Sequence, residues 1–329
     1  MASPRVLVTG ATGFIGHHLV RALKHRGYWV RGVDLAPPRY GSDAADELHL
    51  LDLRRPVNGA RAAEGVEEIY ALAADMGGMG FISAHDASLL RNNLLINVHT
   101  LEGARANGVR RFLFASSACV YPEYRQRDPD VRPLREEDAY PAQPQDGYGW
   151  EKLVTERLCQ AHAQESALEI RIVRLHNVFG PGGAWHGGRE KAPAAICRKV
   201  ALAKLTKDPA VEIWGDGAQT RSFCYIGDCT EGLHRLMRSE YAEPLNLGQD
   251  RLVSIDELAD MVAAIAGVRI RKRHVDGPQG VRGRNSDNSR LRAILNWEPR
   301  VSLEEGLSQT YAWIEEQVRA ALAAGRDIG

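Results

Sequence analysis

A seven-residue glycine-rich turn, Gly10-Ala11-Thr12-Gly13-Phe14-Ile15-Gly16, stands between the β-branched run Arg5–Thr9 and a segment with helical apolar spacing. Ile15, Leu19, Val20 and Leu23 fall on one face of that segment, which runs from Phe14 to about Arg26. Glycine lets a backbone turn tightly and approach a pyrophosphate, whose charge then meets the helix N-terminus. A strand, such a turn and a helix in this order commit the N-terminal half to a parallel sheet. Tyr28–Asp34, Glu47–Leu51, Glu68–Ala73, Arg111–Ala115 and Glu169–Arg174 read as further strands. Asn92–Asn107 and Asp146–Gln164 read as helices between them. Strands alternating with helices of this length predict an α/β fold, a doubly wound parallel Rossmann-type sheet with right-handed crossovers.

The alternation breaks after Arg174. Asn177–Lys191 carries five glycines and a proline and reads as a long loop, the kind that is usually functional. Ala194–Leu205 and Ile255–Ala266 are helical, and Leu303–Ala320 is a terminal amphipathic helix. Ser222–Ile226, Pro244–Leu247 and Val268–His274 read as short strands, and Gly325–Gly329 as a frayed end. Residues 1–175 and 218–248 are therefore expected to form the dinucleotide-binding domain. Residues 176–217 and 249–329 are expected to form a smaller, discontinuous C-terminal α/β substrate domain.

Composition removes several function classes. Forty-two basic residues balance forty-two acidic ones, so the basic excess of a nucleic-acid-binding domain is missing. No apolar run approaches the roughly 18 to 20 residues that span a bilayer, so no membrane partner is expected. Met1-Ala2-Ser3-Pro4-Arg5 leads into the first strand without an h-region or cleavage site. The five cysteines are odd in number and form no Cys-x-x-Cys pair, which reads as reduced thiols in a cytoplasmic protein. The eleven histidines show no metal-ligand spacing, so no metal is expected.

The chemistry-bearing residues follow the strands. Asp34, at the end of the second strand, is placed to accept both ribose hydroxyls of an adenosine, and its charge would repel a 2′-phosphate, so NAD is favoured over NADP. Asp52 follows the third strand and reads either as a contact to the adenine edge or as a turn residue. Tyr148 and Lys152 are four apart and share one helix face. An ammonium about 4 Å from a phenol offers roughly 4 kcal/mol at an effective dielectric of about 20. That is about three pKa units, enough to make a phenolate available near neutrality. Ser116-Ser117 lie at the C-terminal end of the fifth strand, where open α/β sheets place ligands.

GATGFIG, Ser117, Tyr148 and Lys152 together resemble the extended short-chain dehydrogenase/reductase superfamily, which modifies nucleotide sugars. Ala74–Ile82, Ser116–Glu123, Tyr148–Glu156, His176–Gly183, Gly187–Lys199, Trp214–Phe223 and Gly280–Asn288 narrow the resemblance to the GDP-mannose 3,5-epimerase family. That resemblance implies transient oxidation of a GDP-sugar at carbon 4, inversion at carbons 5 and 3, and re-reduction. Such chemistry needs one acid/base group on each side of the sugar ring. Cys119 stands where related dehydratases carry part of an Asp-Glu pair, and a thiol with an ordinary pKa near 8.5 is a suitable proton shuttle. The resemblance puts the second acid/base at Lys191, whose ammonium a closed cleft would desolvate. His176 is a further candidate by residue type, although a satisfied histidine at a strand end is the commoner reading. Another NAD-dependent nucleotide-sugar 4-epimerase or dehydratase is the alternative.

The resemblance also supplies a substrate-binding set. Lys199, Arg221 and Arg284 would meet the nucleotide end, arginine being suited to bidentate phosphate contact. Asn177, Gln219 and Thr220 would meet sugar and phosphate oxygens. Gly77 would let the backbone approach the sugar, beside Ser117, Ala118, Cys119, Glu190, Lys191 and Ala192. Gly10, Gly13, Phe14, Ile15, Gly16, Asp34, Asp52, Tyr148 and Lys152 would hold the cofactor. Arg269–His274 reads instead as a solvated edge strand. In the resembling family two helices per subunit build a homodimer interface, and Asn92–Asn107 and Asp146–Gln164 are the matching segments.

Overall fold

The computed structural model describes residues 4–39, 44–278 and 280–328. Met1–Ser3 and Gly329 therefore lie outside the described residues. The first half runs β1 (Arg5–Thr9), α1 (Phe14–His25), β2 (Trp29–Asp34), β3 (Glu47–Leu50), α2 (Pro56–Ala63) and β4 (Glu68–Ala71). It continues through α3 (Met79–Ala84), α4 (Asp86–Ala106), β5 (Arg111–Ser117), α5 (Gly147–Glu165), β6 (Glu169–Leu175) and β7 (Val178–Phe179). Then come α6 (Ala192–Thr206), β8 (Ala210–Trp214), β9 (Thr220–Arg221), β10 (Cys224–Tyr225), α7 (Ile226–Arg238) and β11 (Pro244–Leu247). The chain closes with β12 (Val253–Ser254), α8 (Ile255–Ala266), β13 (Arg271–Val275), β14 (Gly283–Arg284), α9 (Ser289–Leu295) and α10 (Leu303–Ala323).

Seven strands form one parallel sheet in the order β11-β6-β5-β4-β1-β2-β3. The order reverses at β1, so the C-terminal ends of β1 and β4 open a crevice, as in doubly wound folds. Side-chain alternation sorts the core. Val6 and Val8 face a layer with Leu19, Leu23, Leu233 and Leu236. Leu7 faces the opposite layer with Ile69, Phe112, Ile96 and Leu101. A third apolar cluster joins α6, α8 and α10 through Val200, Leu258, Val262, Leu307 and Ile314, beyond the sheet.

The sequence pattern marks neither the helices α2, α3, α7 and α9 nor the short strands β7, β8, β9, β12 and β14. Helix α7 completes the layer on α1, burying Cys229, Leu233, Leu236 and Met237. Its spacing is legible, but its first residue, Ile226, was assigned to a strand. Helix α4 begins six residues earlier than expected, at Asp86. The C-terminus is not frayed at Ile328, which is buried and whose carbonyl accepts from Arg198 Nη1 at 2.6 Å. The basic run settles as an exposed edge. β13 pairs with β8, and Lys272, Arg273 and His274 meet Asp260, Glu212 and Asp256.

One buried ion pair locks β6 to α5. Arg174 donates to both oxygens of Glu156, at 2.9 and 2.7 Å, with each side chain 2 % exposed. Glu156 also accepts from Ser116, on the strand that carries the site. Removing one partner of a buried pair leaves an uncompensated charge. Glu156→Ala should cost about 3–5 kcal/mol in urea unfolding, whereas a loss under about 1 kcal/mol would mean the pair behaves like a surface one.

Candidate active site

The glycine turn is built by close approach. A Cβ on Gly16 would sit 1.9 Å from the carbonyl oxygen of Gly10, and Gly10 itself has φ +68° with Ala73 at its back. Gly13 begins α1 in an extended conformation, no side chain caps the helix, and its first turn holds no acid. The free backbone N–H groups and the positive helix end suit a pyrophosphate. Asp34 accepts from the backbone nitrogens of Thr12 at 3.0 Å and Leu35 at 2.7 Å, which fixes its carboxylate at the crevice edge. Phe14 supports the loop from below, contacting Gly183 of the long loop and stacking edge-on to His18. These residues fit a dinucleotide. Asp52 is held in a turn, its carboxylate accepting from Arg54 N, Nε and Nη2 at 2.8–3.0 Å.

At the C-terminal end of β5, Ser117 Oγ accepts the backbone N–H of Cys119 at 3.2 Å. Facing it, α5 starts at Asp146, which accepts from Gly149 N at 2.8 Å, while Asp86 accepts from Gly147 N at 2.6 Å. This start brings Tyr148 close to Ser117. Lys152 lies 5.4 Å from the Tyr148 ring centre, as one helical turn requires. The expected phenolate is not what this geometry gives. Burial pushes the Tyr148 hydroxyl well above the ordinary tyrosine value, with Cys119 and Glu151 adding to the rise. Lys152 is drawn instead toward Glu151, 3.5 Å away. A cation one helical turn away favours a phenolate only where the phenol is solvated, and burying the charged form opposes it.

One cleft, roughly 1520 Å³ with its solvent-open space, joins most of the anticipated residues. Ser117, Ala118 and Cys119 line it at the sheet. Glu190, Lys191, Ala192 and Lys199 line it from the long loop and α6, and Gly77 and Asn177 close its floor. The two walls touch where a Cβ on Gly78 would meet the Glu190 carbonyl at 2.6 Å. Desolvation pulls the Lys191 ammonium below the ordinary lysine value, with Cys119 opposing and Arg284 assisting. This is the direction expected for a lysine in a closed cleft.

Several of the candidate residues already have protein partners. Thr220 donates its hydroxyl to the Pro129 carbonyl and does not line the cleft. Asn177 donates its amide to Ser222 O at 3.0 Å. Lys199 donates to Glu212 O at 2.7 Å, at the cleft's rim beside Trp214. Arg221 lines the cleft, and burial pulls it down to about 9. Arg284 was expected at the phosphates, yet Nη1 donates to Cys119 Sγ at 3.3 Å. Glu190 is held by Arg198 at 3.3 Å, and its other oxygen is buried without a partner. Arg198, Asp146 and Gln126 carried no motif by which the sequence could have marked them.

The model of the NAD dependent epimerase/dehydratase family matches residues 6–248. The chain belongs to that family. An Arabidopsis thaliana protein named GDP-mannose 3,5-epimerase is 47% identical over 98% of this chain and 85% of its own length. A UDP-glucose 4-epimerase from Thermotoga maritima, solved with UDP-glucose, superimposes with TM-score 0.85 at 25% identity, covering 95% of this chain and 99% of that one. A Thermus thermophilus UDP-glucose 4-epimerase in complex with NAD gives TM-score 0.82 at 26% identity, over 94% and 98% of the two chains. NAD is the cofactor of this family.

His176 is no acid/base group at neutral pH. It is fully buried, donates from Nε2 to Asn246 Oδ1 at 3.1 Å, and is pulled down to about 3 by desolvation. The folded value lies below the unfolded one, near 6.5. Its neutral form therefore stabilises the fold above pH 6.5, and that stability is lost as pH falls from 6.5 toward 3. His18 and His234, each pulled down to about 4, contribute in the same direction. Urea midpoints across this window should flatten in His176→Gln by about 1.4 kcal/mol per pH unit. An unaltered slope would show that the ring takes up a proton while folded.

Proposed function

We propose that this chain is a GDP-mannose 3,5-epimerase that converts GDP-D-mannose to GDP-L-galactose. The observation that carries the reading is the placement of Cys119 and Lys191 in one cleft beside Ser117, close enough for Cys119 to act electrostatically on Lys191. The identity of 47% to the Arabidopsis thaliana epimerase over almost the whole chain supports the substrate.

Bound NAD supplies a hydride acceptor and donor for carbon 4 of the sugar, together with a positive nicotinamide ring. Tyr148, beside Ser117, takes and returns the proton of the carbon-4 hydroxyl. Its burial keeps that proton on the phenol until positive charge enters the site. A ketone at carbon 4 acidifies the protons on carbons 3 and 5. Cys119 and Lys191 then serve as one acid and one base on opposite sides of the ring. Because desolvation lowers the Lys191 value, its neutral amine exists at lower pH than that of a surface lysine. Glu190 offers its unpartnered oxygen to a sugar hydroxyl. Arg221, Lys199 and the buried amide of Gln219 receive the nucleotide's phosphates and oxygens.

The protein is further read as a cytoplasmic homodimer joined through α4 and α5. Trp150 and Val154, one turn apart on α5, are 42% and 50% exposed and provide an apolar face for a second copy. Among the described residues no helix is long and apolar enough to cross a membrane.

The test is incubation with GDP-mannose in deuterated water, followed by NMR and mass spectrometry. Deuterium should enter at carbons 3 and 5 and not at carbon 4, with GDP-L-galactose as product. Cys119→Ala should reduce both exchanges by at least about 100-fold. Turnover without deuterium would instead make the chain a 4-epimerase.

A further inference from the structure

Arg284 and Gln126 form a bracket around the thiol. Gln126 is 1% exposed, and its side-chain nitrogen donates to Tyr121 O at 3.0 Å and Pro122 O at 3.2 Å. Those two bonds set the orientation of the amide. Its Oε1 therefore faces outward and accepts from Arg284 Nε at 2.6 Å. The backbone carbonyl of Gln126 accepts from Arg282 N at 2.9 Å and Gly283 N at 3.2 Å, which anchors the strand that carries Arg284. With Nε held, the planar guanidinium has one orientation left, and it places Nη1 3.3 Å from Cys119 Sγ. Tyr148 on α5, Lys191 at the start of α6 and Arg221 on β9 also face the sulfur electrostatically. Arg221 turns its own donors to Thr220 O and Val281 O.

We propose that Arg284 stabilises the thiolate of Cys119, and that Gln126 is the positioning residue that aims it. The proposal rests on the reading of Cys119 as a proton shuttle. When the thiol delivers its proton to a sugar carbanion, the S–H bond breaks, a C–H bond forms, and the electron pair stays on sulfur. The resulting anion meets a guanidinium N–H already at hydrogen-bond distance. The reverse transfer returns the proton to sulfur and leaves Arg284 in place. A fixed cation beside the sulfur stabilises the anion that either direction of transfer passes through. No motif marks Gln126. It lies between the strand-end turn and β14, and its amide joins the two.

The rate of alkylation by iodoacetamide against pH reads the thiolate directly, on the NAD-loaded protein without any sugar. Cys159, Cys197, Cys224 and Cys229 are buried, so mass-spectrometric counting of modified Cys119 isolates the signal. Arg284→Met should move the alkylation midpoint upward by about one pH unit. Gln126→Met should move it in the same direction by less, with NAD retention showing that the fold is intact. A bracket that is only structural would leave the midpoint unmoved. Should Gln126→Met fail to fold, Arg284→Met decides alone, and an unchanged midpoint there overturns the proposal. Wild-type protein that alkylates as expected yet exchanges no deuterium into GDP-mannose would sink the functional reading and leave the thiolate assignment standing.

Discussion

The hydrogen bond from Cys119 N to Ser117 Oγ turns the chain at the end of β5, and the site is arranged around that turn. It converts a buried strand into a short helical turn, so that three consecutive residues, Ser117, Ala118 and Cys119, all reach the cleft. The strand beneath it is held in register with β6, Ser116 against Arg174 and Ser117 against Leu175. Glu156 of α5 ties Ser116 and Arg174 together from below. The helix that presents Tyr148 is thereby fixed to the strand that presents the thiol.

Desolvation governs the charges of this cleft. It keeps the proton on Tyr148, and it weakens the hold of Lys191, Lys199 and Arg221 on theirs. Each group is moved toward its neutral form, because a low-dielectric wall disfavours charge of either sign. A cleft with this bias gains stability when a polyanion enters and pairs with its cations. A nucleotide diphosphate is such a ligand.

Much of this was readable from residue order, and the remainder for definite reasons was not. The strand, glycine turn and helix of the first 26 residues are dictated by local patterning, so they stand where expected. β11 was seen as a strand, but its place beside β6 is a tertiary fact that no local pattern carries. Helix α7 was missed because its first apolar residue continues a strand-like run, so the periods of 2 and 3.6 overlap there. The Tyr148–Lys152 pair was found by spacing, while its electrostatics depended on burial and on Glu151, neither of which spacing reports. Arg284 is legible as a functional cation, but its contact with Cys119 Sγ is not. Its direction is set by Gln126, 158 positions away in the chain. Contacts of that sequence separation are invisible to motif reasoning.

The central claim is geometric: a thiol and an amine flank the carbons next to a transient carbonyl. A crystal structure with NAD and a GDP-hexose bound tests it most directly. The account predicts Cys119 Sγ and Lys191 Nζ on opposite faces of the hexose, each within about 3.5 Å of the carbons it serves or their protons. A sugar ring that both groups approach from one face, or that either fails to reach, would contradict it.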